Sequence, residues 1–407
     1  LVYDVGEETG TREAVDRSNL PLVGRDEELA TFRTALDRAL SGAGGVITVS
    51  APTGLGKSRL VREVLRGQRV AQVVVRAEPY GVTSPYRMLR DPVRAAFGVE
   101  RGTPEEMTAS FLSSFGERLP GQISMAPLLS DLVNIPIPET PESRAIEPQF
   151  RPDRIADLVL RAIESNVEGP FVLLVEEGHW ADSSSIVVLN RIAAAAAGRP
   201  WAVVVARRTE GEGFDPDGAT KIELGPLPDE VMRQIVIDAT VDAPLRPEET
   251  DGIVARAQGN PLFVEELVRV FREVGSLDAM PDSLYAALDA QIDALDPHSR
   301  RVLRYASVLG RSFRREVINQ TLRGDDMHLD GATLDKLDQF LEADGPTRLR
   351  FRNSMIRDAA YEGLAYRLRA RLHGAAGRAV ETLSEDLEAD SDTLALHFSR
   401  AGDDPRT

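Results

Sequence analysis

Residues 46–61 read VITVSAPTGLGKSRLV. The β-branched run Val46 to Ser50 predicts a strand, and Gly54 and Gly56 predict a tight loop after it. Lys57 and Ser58 then open a helix whose apolar face is Leu60, Val61, Val64 and Leu65. Strand, glycine loop and helix in this order are the context a phosphate-binding loop requires. The loop positions Ala51, Pro52, Thr53, Gly54, Leu55, Gly56, Lys57, Ser58 and Arg59 are therefore candidates for holding phosphates. Backbone amides would wrap the anion, helped by the positive end of the helix. Lys57 would reach the β- and γ-phosphates, and the Ser58 hydroxyl would bind Mg²⁺. One position departs from the usual motif, which begins with glycine where this chain has Ala51. An alanine there is costly if the position needs positive φ, and its methyl narrows the loop. The competing reading is an ordinary glycine-rich turn in an α/β domain.

A second segment, FVLLVEEGHWAD at 171–182, completes the argument. Its continuous apolar run is the pattern of a central parallel strand buried on both faces. Glu176 and Glu177 stand at its carboxyl end, where open α/β sheets hold ligands. One carboxylate can orient a Mg²⁺ shell and the other can polarise a water. Adjacent side chains on a strand point to opposite faces, so the two acids cannot share one role unless the strand ends between them. Glu176 is taken as the metal-side acid, and Glu176 and Glu177 together as catalytic candidates.

Composition bounds the reading. A chain of 407 residues holds two or three domains. The formal net charge of −17 opposes broad, non-specific binding to nucleic acid or anionic membrane. There is no cysteine, which excludes disulfides, thiolate metal sites and cysteine nucleophiles. No apolar stretch is long enough for a membrane helix. The first residues, LVYDVGEETG, lack an initiator Met and a signal-peptide pattern, so the chain is expected to be part of a longer cytoplasmic protein.

Other elements follow from pattern. In NLPLVGRDEELATFRTALDRAL, the positions Leu29, Phe32, Leu36 and Leu40 form a helical face that Asp26 can cap. Residues 70–76 predict a second strand, 201–209 a third strong one and 221–227 a further one, with helices at 151–166 and 184–198. Alternating strands and helices give a parallel sheet. Residues 81–148 read as helical fragments with proline-rich breaks, and NIPIPETPES at 134–143 reads as a loop outside the core. Beyond residue 228 helical patterns dominate, apart from the short TRLRF segment at 347–351.

The motifs PLVGRDEEL (21–29), APTGLGKSRL (51–60), LLVEEGHWAD (173–182), VVVARRTE (203–210), ARAQGNPLFVEELVR (255–269), ASVLGRSF (306–313) and FRNSMIRDAAYEGLAYRLRARLHGAAG (351–377) carry a family resemblance. The chain resembles the ATPase module of the STAND class of AAA-like signalling ATPases, in the version found beside class III adenylate/guanylate cyclase domains and in large LuxR-type regulators. The resemblance implies an α/β P-loop NTPase core with a parallel sheet, followed by a helical lid, a winged-helix-like domain and the start of an α-helical repeat region. The expected divisions are a linker at 1–19, the core at 20–227, the lid at 228–280, the winged-helix-like domain at 281–355 and a helical region leading toward TPR-like repeats at 356–407.

The same resemblance implies roles. Val23, Gly24 and Arg25 would line the adenine side, and Pro261 of the lid would pack near the base. Arg208, at the end of a core strand, would sense the terminal phosphate. Asn353 stands where relatives commonly carry a histidine that touches the diphosphate; asparagine can donate a hydrogen bond there but carries no charge. Glu177 stands where the family usually has Asp. The expected ligands are ATP or ADP with Mg²⁺, bound between core and lid, with slow hydrolysis. The expected partners are a fused cyclase or transcription-regulator output domain and an activator meeting the C-terminal helices, with a homo-oligomer left open. Val302, Leu303, Ala306, Leu295 and Leu309 form an apolar face in the winged-helix segment, which argues against direct nucleic-acid binding by it. His373 and His397 read as packing or surface residues rather than metal ligands. The alternatives are a non-hydrolysing nucleotide-bound scaffold and a P-loop kinase acting on a small molecule.

Overall fold

The computed structural model describes residues 22–78, 85–99, 102–275, 284–384 and 390–402. The expected linker at 1–19 and the expected boundary at 280/281 lie outside the described residues. The chain forms two compact units, Leu1–Pro226 and Leu227–Thr407.

The first unit is built on β1 (Gly45–Ser50), β2 (Ala71–Arg76), β3 (Phe171–Glu176), β4 (Trp201–Arg207) and β5 (Thr220–Glu223). They form one sheet in the order β2-β3-β4-β1-β5 with every pairing parallel. β4 is buried along its whole length, as its sequence WAVVVAR requires of a central strand. Its neighbours align on it directly: Val46 and Leu173 both sit opposite Val203. Successive residues serve opposite faces. Ile47, Val49, Val172, Leu174 and Val204 pack with the helices Asp26–Arg38 and Lys57–Leu65. Leu173, Val175, Val203 and Val205 pack with the helices Arg87–Ala96, Pro104–Arg118, Arg151–Asn166 and Ser183–Ala196. Burial on both faces is why β3 and β4 carry no polar alternation, whereas the edge strand β5, TKIE, buries only Ile222.

Two local expectations change. Asp26 is the first residue of its helix and does not cap it; Arg25 occupies the cap position, and Asp26, Glu27 and Glu28 place three acids in the first turn. Their charge favours that helix end through the macrodipole. The proline-rich 134–143 segment is irregular at its start but not outside the core. Ile135 and Ile137 are buried among the helices beside β3. Prolines hold their neighbours extended, so two isoleucines two apart face the same way.

In the second unit, helices Asp229–Ala239, Pro247–Ala257, Pro261–Val274, Leu284–Ala294 and Pro297–Val308 precede a small antiparallel sheet. Its strands β6 (Ser312–Arg314), β7 (Leu341–Ala343) and β8 (Arg348–Phe351) lie in the order β6-β8-β7. β8 is the TRLRF segment. One apolar core runs from Leu227 to Ala376 and includes Val302, Leu303 and Ala306, all fully buried. A P-loop core followed by helices, a small sheet of winged-helix-like form and C-terminal helices is thus the architecture.

Helices Tyr366–Leu383 and Ser391–Ala401 close the chain. A Cβ on Gly377 would come within 2.9 Å of the Phe398 ring, so glycine permits the approach. His373 and His397, both buried, meet Nδ1 to Nδ1 at 2.9 Å, and His373 Nε2 lies 3.0 Å from the Tyr361 hydroxyl. Burial, then His397, Arg400 and Arg357, hold His373 down to about 3. Burial and Arg400 hold His397 down to about 4. An unfolded histidine titrates near ~6.5. Below that value the unfolded chain binds more protons, so this pair's contribution to stability, complete above ~6.5, is lost as pH falls toward the folded values. The loss is at most about 1.4 kcal/mol per pH unit for each histidine. The urea midpoint is expected to drop between about pH 7 and about pH 5, and to drop less in the His373→Gln/His397→Gln protein. An equal drop in both proteins removes the pair as the cause.

Candidate functional site

The order of strands decides what meets what. β4 lies between β1 and β3, so the loop after β1 and the turn after β3 are two strand spacings apart, roughly 10 Å. The carboxyl end of β4 stands between them.

The loop after β1 turns through Gly54 at φ 90° and Gly56 at φ 92° into the helix Lys57–Leu65. Both values are open to glycine and strained for other residues. Ala51 is not among the positive-φ residues, and its methyl is buried in the core under the loop. The steric cost expected of an alanine there does not arise. Lys57 Nζ donates to the carbonyls of Ala51 at 2.7 Å and Pro52 at 3.1 Å, which places the ammonium inside the loop. Burial brings its pKa down to about 8, with Glu177 opposing that shift and Arg208 adding to it. Ser58 is exposed on the first turn, and Leu55 is buried. Thr53 and Arg59 are half-buried, and Pro52 is exposed.

β3 ends between the two acids. Glu176 is its last residue; Glu177 has φ 54° and ψ 37° and starts a short turn, Gly178–Trp180. The left-handed step separates their roles. Glu176 Oε2 accepts from Arg76 Nε at 2.7 Å and Nη2 at 2.5 Å, across the β2–β3 pairing. Glu177 instead acts on Lys57 and stands 3.6 Å from His179 Nε2. Adjacency implied that the two acids would differ but not which partner each would take, because a left-handed glutamate carries no local signature.

The β4 end divides the same way. Arg207 is buried, pairs with Asp215 at 3.0 Å, and donates to the carbonyls of Gly211 at 2.6 Å and Glu212 at 3.2 Å. It braces the following loop. The charge of Arg208 reaches Lys57 and His179 and lowers the pKa of both. Its backbone N–H donates to His179 Nδ1 at 3.3 Å. Burial takes His179 down to about 4, with Glu177 opposing and Arg208, Lys57 and Arg207 adding, so the ring is neutral.

Val23 and Gly24, the latter at φ 70°, lead into the first helix. Arg25 is buried; it pairs with Glu28 at 2.9 Å and donates to the carbonyls of Leu55 at 3.5 Å and Gly225 at 2.5 Å. Pro261 and Asn353 belong to the second unit. Pro261 is the first residue of a helix capped by Asn260, and Asn353 caps the helix Ser354–Glu362 through the Ile356 N–H at 2.9 Å.

The donor set fits a phosphate chain with a divalent cation: glycine turns, a helix N-terminus, an ammonium inside the loop, and an exposed hydroxyl and a carboxylate at the rim. No group of three or more His, Cys, Asp or Glu that could hold a metal by itself occurs among the described residues. A cation here would share its shell with phosphate oxygens, as Mg²⁺ does in such sites.

Residues 21–205 match the family described as AAA ATPase domain. Fold and loop together define a P-loop core. Along 96% of its length the chain is 26% identical to "Uncharacterized protein R02095" of Rhizobium meliloti, of which it spans 40%. Its fold is similar to that of the STAND protein with a tetratricopeptide repeat sensor, PH0952, from Pyrococcus horikoshii. The TM-score is 0.53 at 14% identity, covering 94% of this chain and 50% of that one. The chain therefore spans half or less of either protein.

Lys57→Ala removes a charge-assisted phosphate contact worth ~1.5–3 kcal/mol. Calorimetry with Mg·ATP should show affinity weakened by roughly 10- to 150-fold. Equal affinity of the two folded proteins would end the phosphate-loop assignment.

Proposed function

We propose that this chain is an ATP-binding regulatory module that hydrolyses Mg·ATP slowly and controls an output domain fused to it, in the cytoplasm. The observation that carries the reading is the glycine-turned loop after β1, which holds the Lys57 ammonium against the Ala51 and Pro52 carbonyls at the N-terminus of a helix. Lys57 and the loop amides hold the β- and γ-phosphates. Arg208 faces the charge of the terminal phosphate. Glu177 orients a water in line with the γ-phosphorus; its oxygen bonds to phosphorus as the bond to the ADP oxygen breaks, and the water's proton passes to the released phosphate or to solvent. Ser58 and an acid of the β3 end would hold Mg²⁺, which would supply neutralisation of the phosphate charge. Of the two acids, Glu176 is bonded to Arg76, whereas Glu177 directs its charge toward Lys57 of the loop, and on this reading the water falls to Glu177.

The family resemblance extends this to a switch: ATP and ADP favour different arrangements of the helical region, and the output is a cyclase or transcription-regulator domain. An activator would act through the C-terminal helices. No described helix is long and apolar enough to cross a membrane.

Glu177→Gln should bind Mg·ATP and lose turnover by at least about 10-fold. Glu176→Gln should keep an acceptor for Arg76 but lose its charge, which is worth about 1 kcal/mol or less in a partly exposed pair, and should lower the thermal midpoint slightly with a smaller effect on turnover. Phosphate-release assays and thermal denaturation on the pair separate the roles. The reverse pattern would move the chemistry to Glu176, and binding without any phosphate release would leave a nucleotide-bound scaffold.

A nucleotide can shift populations only by its difference in affinity for two states. Hydrogen exchange at 255–269 and 351–377 is therefore expected to differ between ADP and a non-hydrolysable ATP analogue. Identical exchange in both states, with binding demonstrated, would refute the switch.

A further inference from the structure

His179 has a place in this site that the assignments above do not use. Its side chain is 4% exposed. Nδ1 accepts the Arg208 N–H at 3.3 Å, which requires the ring proton to sit on Nε2. Nε2 has no hydrogen-bond partner, although it is buried and lies 3.6 Å from Glu177 Oε2. A buried donor without an acceptor is costly. Here the nearest candidate acceptor is the carboxylate assigned to the reaction, about half an ångström beyond hydrogen-bond reach.

The surroundings leave the ring little freedom. The Phe214 N–H donates to the Gly178 carbonyl at 2.8 Å. A Cβ on Gly213 would come within 2.4 Å of that carbonyl oxygen and 2.7 Å of the His179 backbone, so the loop after β4 lies directly on the turn after β3. Arg207 ties the same loop to the end of β4 through Gly211 and Glu212. The Trp180 ring stands 5.1 Å from the imidazole. A movement of the β4 end therefore carries the imidazole with it, and the one polar atom left to respond is Nε2.

We propose that His179 is a positioning residue that couples Arg208 to Glu177: anchored at Nδ1 by the Arg208 backbone, it donates from Nε2 to the Glu177 carboxylate when a nucleotide triphosphate fills the loop, and so sets the direction in which that carboxylate holds water. Occupancy of the terminal-phosphate position, met by Arg208, and orientation of the attacking water, set by Glu177, then become one event. This rests on the reading of the site as one that hydrolyses ATP.

Two substitutions separate the ring's two bonds. In His179→Asn the amide oxygen can still accept from the Arg208 N–H, but no donor reaches Glu177. In His179→Gln the amide nitrogen falls near the Nε2 position and can donate. Loss of an orienting partner commonly costs about 10- to 100-fold in activity. His179→Asn should lose kcat by that factor with KM for ATP nearly unchanged, and His179→Gln should recover most of it. A purely structural histidine would not give this order. A third measurement does not depend on either variant folding. In protein labelled with ¹⁵N-histidine, the His179 Nε2 proton should move downfield on adding Mg²⁺ and a non-hydrolysable ATP analogue, and should not do so in Glu177→Gln. If the analogue does not bind, the reading of the site fails. If ATP binds and no phosphate is released by the wild type, hydrolysis and this role fall together. If the wild type turns over while His179→Asn matches its kcat, or if bound analogue leaves the Nε2 proton unmoved, the coupling alone is overturned.

Discussion

The pairing of β4 with both β1 and β3 is the constraint on which the candidate site depends. The three strands are parallel and in direct register, so their carboxyl ends finish at one level. That is why a lysine after β1, a glutamate after β3 and an arginine after β4 act on one another although Lys57 and Arg208 are far apart in sequence. The arrangement is intolerant of slippage. A shift of β4 by one residue would exchange the faces served by all its side chains. Val203 and Val205 would leave the helices on one face, and Arg207 and Arg208 would trade the loop brace for the site. Burial of the whole strand holds the register, and each large apolar side chain on it contributes ~1.5–3 kcal/mol toward keeping it there.

Charge is distributed against the composition. The chain is acidic overall, at −17, yet Lys57, Arg207 and Arg208 gather around a helix N-terminus at the end of the sheet. The cost of this gathering is visible in Lys57, whose ammonium is destabilised by burial and by Arg208 and only partly relieved by Glu177. A buried cation in such a position is stabilised by an anion placed against it. The electrostatics of the loop thus favour a polyanion, and the carboxylate at the rim favours one that brings a divalent cation with it.

Much of the first unit was legible because its signals are local. A glycine loop between an apolar strand and an amphipathic helix has few other solutions, and a continuous apolar run must be buried on both faces. What stayed hidden depends on single backbone steps or long-range partners. Glu176 and Glu177 are neighbours, and only the left-handed conformation of Glu177 sends them to different partners. Arg207 and Arg208 are an unmarked pair until Gly211, Glu212 and Asp215 claim the first. Asp26 resembled a cap by residue type, but Arg25 is held at that position by its own tertiary bonds. Ile135 and Ile137 lay within a proline-rich run whose composition suggested solvent, and they are core residues because the extended run lies against the helices beside β3. In the second unit, the three short strands are at the lower limit of what period-two patterning can reveal.

Arg25 shows how a weak sequence signal can carry a strong structural role. The tripeptide Val23-Gly24-Arg25 says little by itself. In the fold, its guanidinium joins three parts of the first unit that are distant in sequence: its own helix through Glu28, the phosphate loop through the Leu55 carbonyl, and the strand exit through the Gly225 carbonyl. Gly225 lies one residue before the first unit ends at Pro226. The fork of an arginine is rigid, so its bonds do not adjust independently. Both carbonyls accept from the same nitrogen, Gly225 at 2.5 Å and Leu55 at a long 3.5 Å. Because the side chain is buried, water does not readily replace a bond that is lost, and the guanidinium must follow one carbonyl or the other. The loop after β1 and the segment by which the chain leaves the sheet are therefore both tied to one side chain, within the first unit.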